Sequence, residues 1–545
     1  MPQAREHRTI SWLQRFGVQA AALALLVLLA YGASLDNGFH FDDYAALSDP
    51  YVAGEGFGWE ILRPQQTRPL TYLTFHWNHL LGGTRPQGYH AVNLSLHIAN
   101  AALLLWIARR RLPVWAAGFA ALLFALHPLQ TEAVTYIFAR SSLLATFFAL
   151  WTVVFYLRGR LVWSAILFAL SLLAKEETVA LPAALLLLDY LDRRRPSPGY
   201  YAALFGLAAL AAARMFWVLS TLPDPGVGFR IKGVSTLAYA LTQARVVWIY
   251  LRLFVAPVGL NLDHDVPLST GLVSPWTTAV AVAALAATLA ALAYLGWQRR
   301  NAAVWALGFF VLLSPSSSVV AQADVIFEHR TYFPLFCLVV AVGAVARYLS
   351  PRLSSGVLSA AAAVLALAMI LGTAIRNQAW FDEKTLWTDA QQKSPNKARV
   401  YLGLARAFPD DSGKARELLE RGLALDPQHV ELLTNLGVVL LAQNDGPRAL
   451  ELFERAMRLS RETPELWNNI GASRFRMGQL EEAIGAYRRA LALESCHYNS
   501  RRNLMYALSE LGRKEEAFRA GELPPGCRLP AEKAKELAQY RERFR

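Results

Sequence analysis

The stretch LDNGFHFDDYAALSDPYV, residues 35–52, follows directly on an apolar run from Val18 to Ala33 that is long enough to cross a bilayer. It opens a polar and aromatic segment of about 50 residues that continues through RPLTYLTFHWNHLLGG (68–83) and GYHAVNLSLH (88–97), where a second apolar run begins. A segment of this kind between two spans reads as an ordered external loop, 35–90, on a polytopic membrane protein. It also places two adjacent acids, Asp42 and Asp43, just beyond the first helix, where a carboxylate can act on a lipid-linked substrate.

Composition agrees with that class. The 545 residues are 54% hydrophobic and 17% charged, too apolar for a soluble globular chain of this size. The net charge of +13 does not point to nucleic acid, because the basic residues sit in short clusters between apolar runs. Arg5, Arg8 and Arg15 precede the first run, and since no small-residue cleavage site follows, we read it as a retained span. Further apolar segments lie near 91–108, 113–127, 141–157, 162–174, 178–191, 200–219, 272–297, 302–315, 331–348 and 355–375, so about eleven spans are expected. Arg109-Arg110-Arg111, Arg158 with Arg160, Arg193-Arg194-Arg195, Arg299-Arg300, and Arg347 with Arg352 follow every second span. By the positive-inside rule this puts the N-terminus in the cytoplasm, and the first loop and everything after Arg376 outside. Leu237–Val255, with Arg245 and Arg252 embedded, breaks the alternation if it crosses; a re-entrant or membrane-surface helix pair is expected there.

After residue 375 the composition turns charged and helical. A shift of 34 residues superposes Gly403, Gly437 and Gly471, then Ala415, Ala449, Ala483 and Ala517, and pairs Asn435 with Asn469 and Asn503. This is the tetratricopeptide signature, two helices per repeat with small residues at the tight crossing. PELWNNIGASRFRMGQLEEAIGAYRRALAL, from Pro464, is close to a consensus unit, and about three full repeats plus a partial one near Trp380 are expected. The expected organisation is therefore all-α, a transmembrane helical domain over 1–375 and an external repeat solenoid over 376–545. Cys496 and Cys527 can pair if their compartment is oxidising.

Positive charge on the outer side needs its own reason. Arg68, Arg140, Lys175, Arg214, Arg245, Arg252, His329 and Arg330 are the external candidates, and a lipid phosphate would gather such groups. For any one of them an ion pair or a snorkelling side chain is the simpler account; for the set, a shared anion site is the better one. Asp42 and Asp43 could be mere helix caps, but one positioned carboxylate can also take a proton from an attacking hydroxyl while cations stabilise the departing phosphate. Glu132, Glu176 and His79 are candidates for contacting sugar or acceptor. Asp263, His264 and Asp265 have metal-ligand chemistry but no spacing rule, so no metal site is assigned and a divalent cation stays an option. No GxGxxG, Walker, GxSxG or HExxH motif occurs in context, which argues against a nucleotide-sugar domain.

With these residues in place, the chain resembles the transmembrane and tetratricopeptide-repeat O-mannosyltransferase family, within the GT-C class of polyprenyl-phosphate-sugar-dependent glycosyltransferases. The resemblance rests on FHFDDY (39–44), the blocks at 68–83 and 88–97, HPLQTEAVTYIFAR (127–140), AKEETVALP (174–182), FVAPVGLNLDHD (254–265), EHRTYFP (328–334) and RNQAWFDEKTLW (376–387), in that order and ahead of the repeats. It implies a GT-C fold, a lipid-phosphate sugar donor as substrate, inversion at the anomeric carbon, and a Ser/Thr hydroxyl of an exported protein as acceptor, bound directly or through a partner by the repeats. By analogy the first-loop acid pair is catalytic, with Asp43 as base and Asp42 supporting, and mannose is the sugar. The Ala, Leu and Arg-rich composition suggests a bacterial inner membrane with periplasmic repeats; in a eukaryote the repeats would be luminal. The alternatives are an envelope oligosaccharide ligase or polymerase, and a non-enzymatic membrane-anchored repeat scaffold.

Overall fold

In a computed structural model the chain divides into two units, Met1–Leu386 and Trp387–Arg545. The structure describes residues 2–54, 57–63, 65–221, 234–352, 354–527, 529 and 531–544. Among them the regular elements are helical.

The first unit opens with α1 (Pro2–Tyr31), then the short α2 (Asp42–Leu47) and α3 (Pro69–Gly82) of the first loop. The bundle continues with α4 (Pro86–Ala108), α5 (Val114–Leu126), α6 (Thr131–Thr135), α7 (Arg140–Leu157), α8 (Leu161–Ala174), α9 (Leu181–Asp192) and α10 (Pro198–Thr221). After it come α11 (Thr236–Val255), α12 (Thr277–Trp297), α13 (Asn301–Leu313), α14 (Tyr332–Leu349) and α15 (Ser355–Gln378). Prolines pre-set φ at the first turns of α3, α4 and α9, and the hydroxyls of Ser235 and Ser354 accept the N–H of Ala238 and Val357 to start α11 and α15. The core forms where α4, α5, α7 and α14 pack on one another, around Leu104, Phe124, Leu150 and Val340.

All eleven expected apolar segments fold as helices. Among the described residues seven helical segments are long and apolar enough to cross a membrane, or eight if α5 and the bent segment Pro128–Thr135 are one span. In α10, α12 and α15 few residues are covered, as lipid-facing helices require. The shorter helices α8, α9 and α13 fall below that length, so the expected count of about eleven exceeds the helices that pass by length and composition. At His127-Pro128 the chain bends by 49°; proline cannot continue α5, and His127 Nδ1 accepts the N–H of Leu129 while its Nε2 donates to Phe254 O at 2.8 Å.

Leu237–Val255 is one continuous helix, correcting the expected pair: no Gly or Pro interrupts it. Tyr239 Oη, Gln243 Nε2 and Tyr250 Oη donate to the carbonyls of Ser316, Val325 and Phe327 at 2.8, 2.7 and 2.9 Å, so α11 runs alongside a single loop rather than away from it.

The basic clusters meet at one end of the bundle. Arg111 pairs with Asp192 through two N–H groups, Arg347 donates to Arg111 O at 3.4 Å, Arg110 and Arg158 both lie over the Trp106 ring at 4.2 and 5.0 Å, and Arg299 covers Tyr190 at 4.8 Å. The opposite end carries the first loop and the exit of α15. There Gly38 donates to Phe381 O at 2.9 Å, His40 Nε2 donates to Trp380 O at 2.7 Å, and Phe41 N donates to Glu383 Oε1 at 2.9 Å.

The second unit stacks antiparallel helix pairs: α17 (Ala398–Arg406) with α18 (Ser412–Leu425), α19 (Val430–Ala442) with α20 (Gly446–Leu459), α21 (Pro464–Arg476) with α22 (Leu480–Leu493), and α23 (Tyr498–Glu510) with α24 (Lys514–Ala520). Ahead of them α16 (Glu383–Lys393) spans the unit boundary, and α25 (Ala531–Glu542) closes the row. Among the described residues there are four helix pairs preceded by α16, against the expected three or so full repeats and a partial one near Trp380. A Cβ on Gly403, Gly437 or Gly471 would come within 2.6 Å of the ring of Trp387, Phe453 or Tyr487, and Ala449, Ala483 and Ala517 are fully buried, which is why this period demands small residues. Cys496 and Cys527 form a disulfide.

Candidate active site

The acid pair starts α2, and one residue of helical rotation separates its members completely. Asp43 is buried; its Oδ2 accepts the N–H of His40 at 2.9 Å and its Oδ1 the N–H of Phe138 at 2.7 Å, so both oxygens tie the first loop to the 127–140 segment. Burial pushes its carboxyl up to about 7, opposed by His40 and the two amides and reinforced by the charge of Asp42. Asp42 is only half-buried, donates its amide to Tyr136 Oη at 3.1 Å and meets the same hydroxyl with its side chain. Tyr136 is itself fixed by stacking on Trp380 at 5.7 Å.

The eight expected phosphate-binding cations do not form one group. Lys175, His329 and Arg330 converge on one small cavity with Glu177, Ser142, Thr146 and Thr178. Lys175 Nζ donates to Ser142 Oγ and Glu177 Oε2, both at 2.9 Å, and burial lowers its pKa against the pull of Glu177. Arg330 is buried; Nη2 donates to Asp324 O at 2.8 Å, while Nη1 finds no hydrogen-bond partner among the described residues. Arg68 stands next to this group. It pairs with Glu176 at 2.9 and 3.3 Å; burial opposes ionisation of Glu176, yet Arg68 overrides it and holds the carboxyl at about 2.

The other four act differently. Arg140 is wholly buried, and four of its five N–H groups donate, to Asn93 Oδ1 (2.8 Å), Asn78 Oδ1 (2.6 Å), Thr74 Oγ1 (3.2 Å) and Tyr89 O (2.9 Å), with Phe75 beneath it at 4.7 Å. It pins α3 and α4 to α7. Arg214 reaches the carbonyls of Gln66 and Thr67, Arg245 the carbonyl of Pro267 and the hydroxyl of Ser269, and Arg252 Val258 O, each securing a loop.

Of the expected sugar or acceptor contacts, Glu132 is buried and takes His329 Nδ1 at 2.5 Å and the N–H of Glu328 at 3.0 Å, while Glu176 holds Arg68. His79 lies half-buried on α3, and no bond joins it to that group among the described residues. The Asp263-His264-Asp265 group does not converge: His264 Nε2 donates to Glu328 Oε1 at 2.8 Å, Asp263 is buried and Asp265 is exposed. Among the described residues the one set of three acids and histidines within common ligand reach is Glu465, Glu494 and His497, on the repeats. Sequence reasoning weighed Glu177 beside Glu176 but did not single out His40 and Tyr136. Their signal is contact across distant segments, 94 residues apart for Asp42 and Tyr136, which no local motif carries.

A family model described as tetratricopeptide repeat matches residues 428–493. The chain is similar to Protein O-mannosyl-transferase F38B6.6 of Caenorhabditis elegans, 24% identical over 440 residues, which cover 75% of this chain and 62% of that protein. Protein O-mannosyl-transferase TMTC1 of Homo sapiens is 25% identical over 499 residues, 77% of this chain and 56% of that protein. Protein O-mannosyl-transferase Tmtc2 of Drosophila melanogaster reaches 37% over 150 residues, 24% of this chain and 16% of that protein. The chain spans less than two thirds of the length of these relatives. They are the relatives that the sequence motifs resemble, so the resemblance is borne out, over about three quarters of this chain for two of them.

Proposed function

We propose that this relative of protein O-mannosyl-transferases moves mannose from a polyprenyl phosphate to Ser/Thr hydroxyls of exported polypeptides, with inversion. The observation that carries the reading is the gathering of a partly exposed carboxylate and of buried cations at the bundle end opposite the arginine clusters. The acceptor hydroxyl attacks the anomeric carbon from the face away from the phosphate. The new C–O bond forms as the bond to phosphate breaks, the hydroxyl proton passes to a carboxylate, and the electron pair leaves with the phosphate.

The division of labour we propose reverses the sequence expectation. Asp42 is the base, because both oxygens of Asp43 already accept backbone N–H groups. Asp43 is a positioning residue that holds α2 against Phe138. Lys175 and Arg330 receive the donor phosphate, with His329 oriented by Glu132. A divalent cation is not needed by this scheme.

For orientation, we place the arginine-rich end in the cytoplasm. Because α1 and α15 both finish at the first-loop end, the crossings from the start of α1 to the end of α15 are odd in number, and we place the repeats on the outer side. The Cys496–Cys527 disulfide supports an oxidising compartment for them, which in a bacterium is the periplasm. The test is transfer from synthetic polyprenyl-phosphate mannose to a Ser/Thr peptide by the purified full chain in nanodiscs. Wild type should yield mannosyl peptide and polyprenyl phosphate, and Asp42→Asn should not; no transfer by any donor, or full activity of Asp42→Asn, refutes the reading.

A further inference from the structure

Phe41 lies at φ +48° and ψ −109°, outside the regions that a residue with a bulky side chain adopts freely. It immediately precedes Asp42, so a strained dihedral sets the direction in which α2 and the acid pair leave the chain. Such a conformation persists only where its surroundings over-determine it, and these outliers gather at functional sites.

Four successive N–H groups show how the strain is held. His40 N donates to Asp43 Oδ2 at 2.9 Å, Asp42 N to Tyr136 Oη at 3.1 Å and Asp43 N to His40 O at 2.9 Å. The strained residue itself donates to Glu383 Oε1 at 2.9 Å, across 342 residues of sequence. Glu383 stands on a rigid base. Trp380 is fully buried, its ring stacks on Tyr136, and its carbonyl accepts His40 Nε2 at 2.7 Å. Asp382 Oδ1 then accepts the N–H of Thr385 at 2.7 Å while Thr385 Oγ1 accepts that of Asp382 at 3.1 Å, a reciprocal cap that fixes the start of α16. A glutamate in a first turn favours its own helix through charge alone, but this one turns Oε1 to a different segment, at the one backbone position there that resists its conformation.

We propose that Glu383 is a positioning residue for the transfer: by holding Phe41 at positive φ it aims Asp42 at the acceptor hydroxyl. Without an acceptor for the Phe41 N–H, φ relaxes to negative values and the peptide joining Phe41 to Asp42 swings. Asp42 N then leaves Tyr136 Oη, and the six-residue α2 turns with its first peptide. Glu383 acts through Phe41 and takes no proton itself. The inference rests on the reading of Asp42 as the base.

The experiment uses the full chain in nanodiscs with synthetic polyprenyl-phosphate mannose and a Ser/Thr peptide. E383A should lower kcat about tenfold to a hundredfold, the population cost of a strained backbone left unheld, with donor KM within about twofold of wild type. Its melting temperature should be unchanged or higher, because released strain offsets the lost bond. E383Q keeps an oxygen facing the Phe41 N–H and should stay within about threefold of wild type. F41G/E383A should recover part of the loss, since glycine adopts positive φ at no steric cost. Hydrogen exchange over residues 38–47 should quicken in E383A and not in E383Q. A loss in E383Q as deep as in E383A, no recovery with the glycine, or a fall in melting temperature or rise in donor KM that accompanies the loss overturns the inference. If exchange quickens in E383A alone while wild type transfers no sugar, the transfer reading alone is refuted; if Asp42→Asn is inactive and E383A keeps full kcat, the role of Glu383 alone is refuted.

Discussion

The two ends of the membrane unit use the same residue type in opposite ways. At one end Arg110, Arg158 and Arg299 rest on aromatic rings, and Arg111 with Asp192 forms a partly exposed ion pair. These side chains carry charge for orientation, and their individual geometry matters little. At the other end Arg140, Lys175 and Arg330 are more than nine-tenths buried, and each is placed by named partners. The lesson is that charge counts set sidedness while burial and saturation set chemistry. An arginine bound through all three of its nitrogens to neighbouring helices is a rivet, and one with a whole terminal nitrogen to spare can hold an anion.

The largest expected effect breaks this comparison if it fails. Asp42→Asn should lower kcat for mannosyl transfer by roughly 10³-fold, while Arg110→Gln at the other end should stay within about twofold of wild type. Next, Lys175→Met and Arg330→Met should each cost about 10²-fold in transfer, measured with the same donor, whereas Arg245→Met should not. Arg140→Met sharpens the distinction between rivet and anion site. It strands the oxygens of Asn93, Asn78 and Tyr89 and should cost about 3 kcal/mol or more of stability, read as a lower unfolding midpoint, with the surviving folded fraction retaining donor affinity.

The smallest effect is one of pH. Asp43 titrates near 7 in the fold and near 3.8 when exposed, so the folded form binds its proton more tightly and the contribution of this group to stability falls as pH rises from about 4 to about 7. Thermal melts across that window should show a flatter slope in Asp43→Asn than in wild type. Glu176 has the opposite sign: its depressed pKa adds stability above about 4.5, lost as pH falls toward 2.

The fold was largely legible because its signals are local and periodic. Apolar runs gave the helices, arginine clusters gave the ends, and the 34-residue recurrence of glycine and alanine gave the repeats. The proline and histidine at 127–128 could have signalled the bend after α5. The site was legible only as a set of candidates. Arg140 and Arg330 look alike in sequence, since the anchoring of one comes from Asn93, Asn78, Thr74 and Tyr89, all more than 45 residues away. Asp42 and Asp43 differ because Phe138 presents its N–H to only one of them, and no motif encodes the phase of α2 against that segment. The continuity of α11 follows from carbonyls in the 316–327 loop that complement Tyr239, Gln243 and Tyr250, again a long-range match.

The sidedness on which the account depends can be read in one labelling measurement on sealed, right-side-out membrane vesicles. Tyr44→Cys, beside the acid pair and exposed, should react with a membrane-impermeant maleimide added outside, and Arg110→Cys should react only after permeabilisation. Labelling of the residue-110 cysteine from outside, with the residue-44 cysteine protected until the membrane is opened, would contradict it.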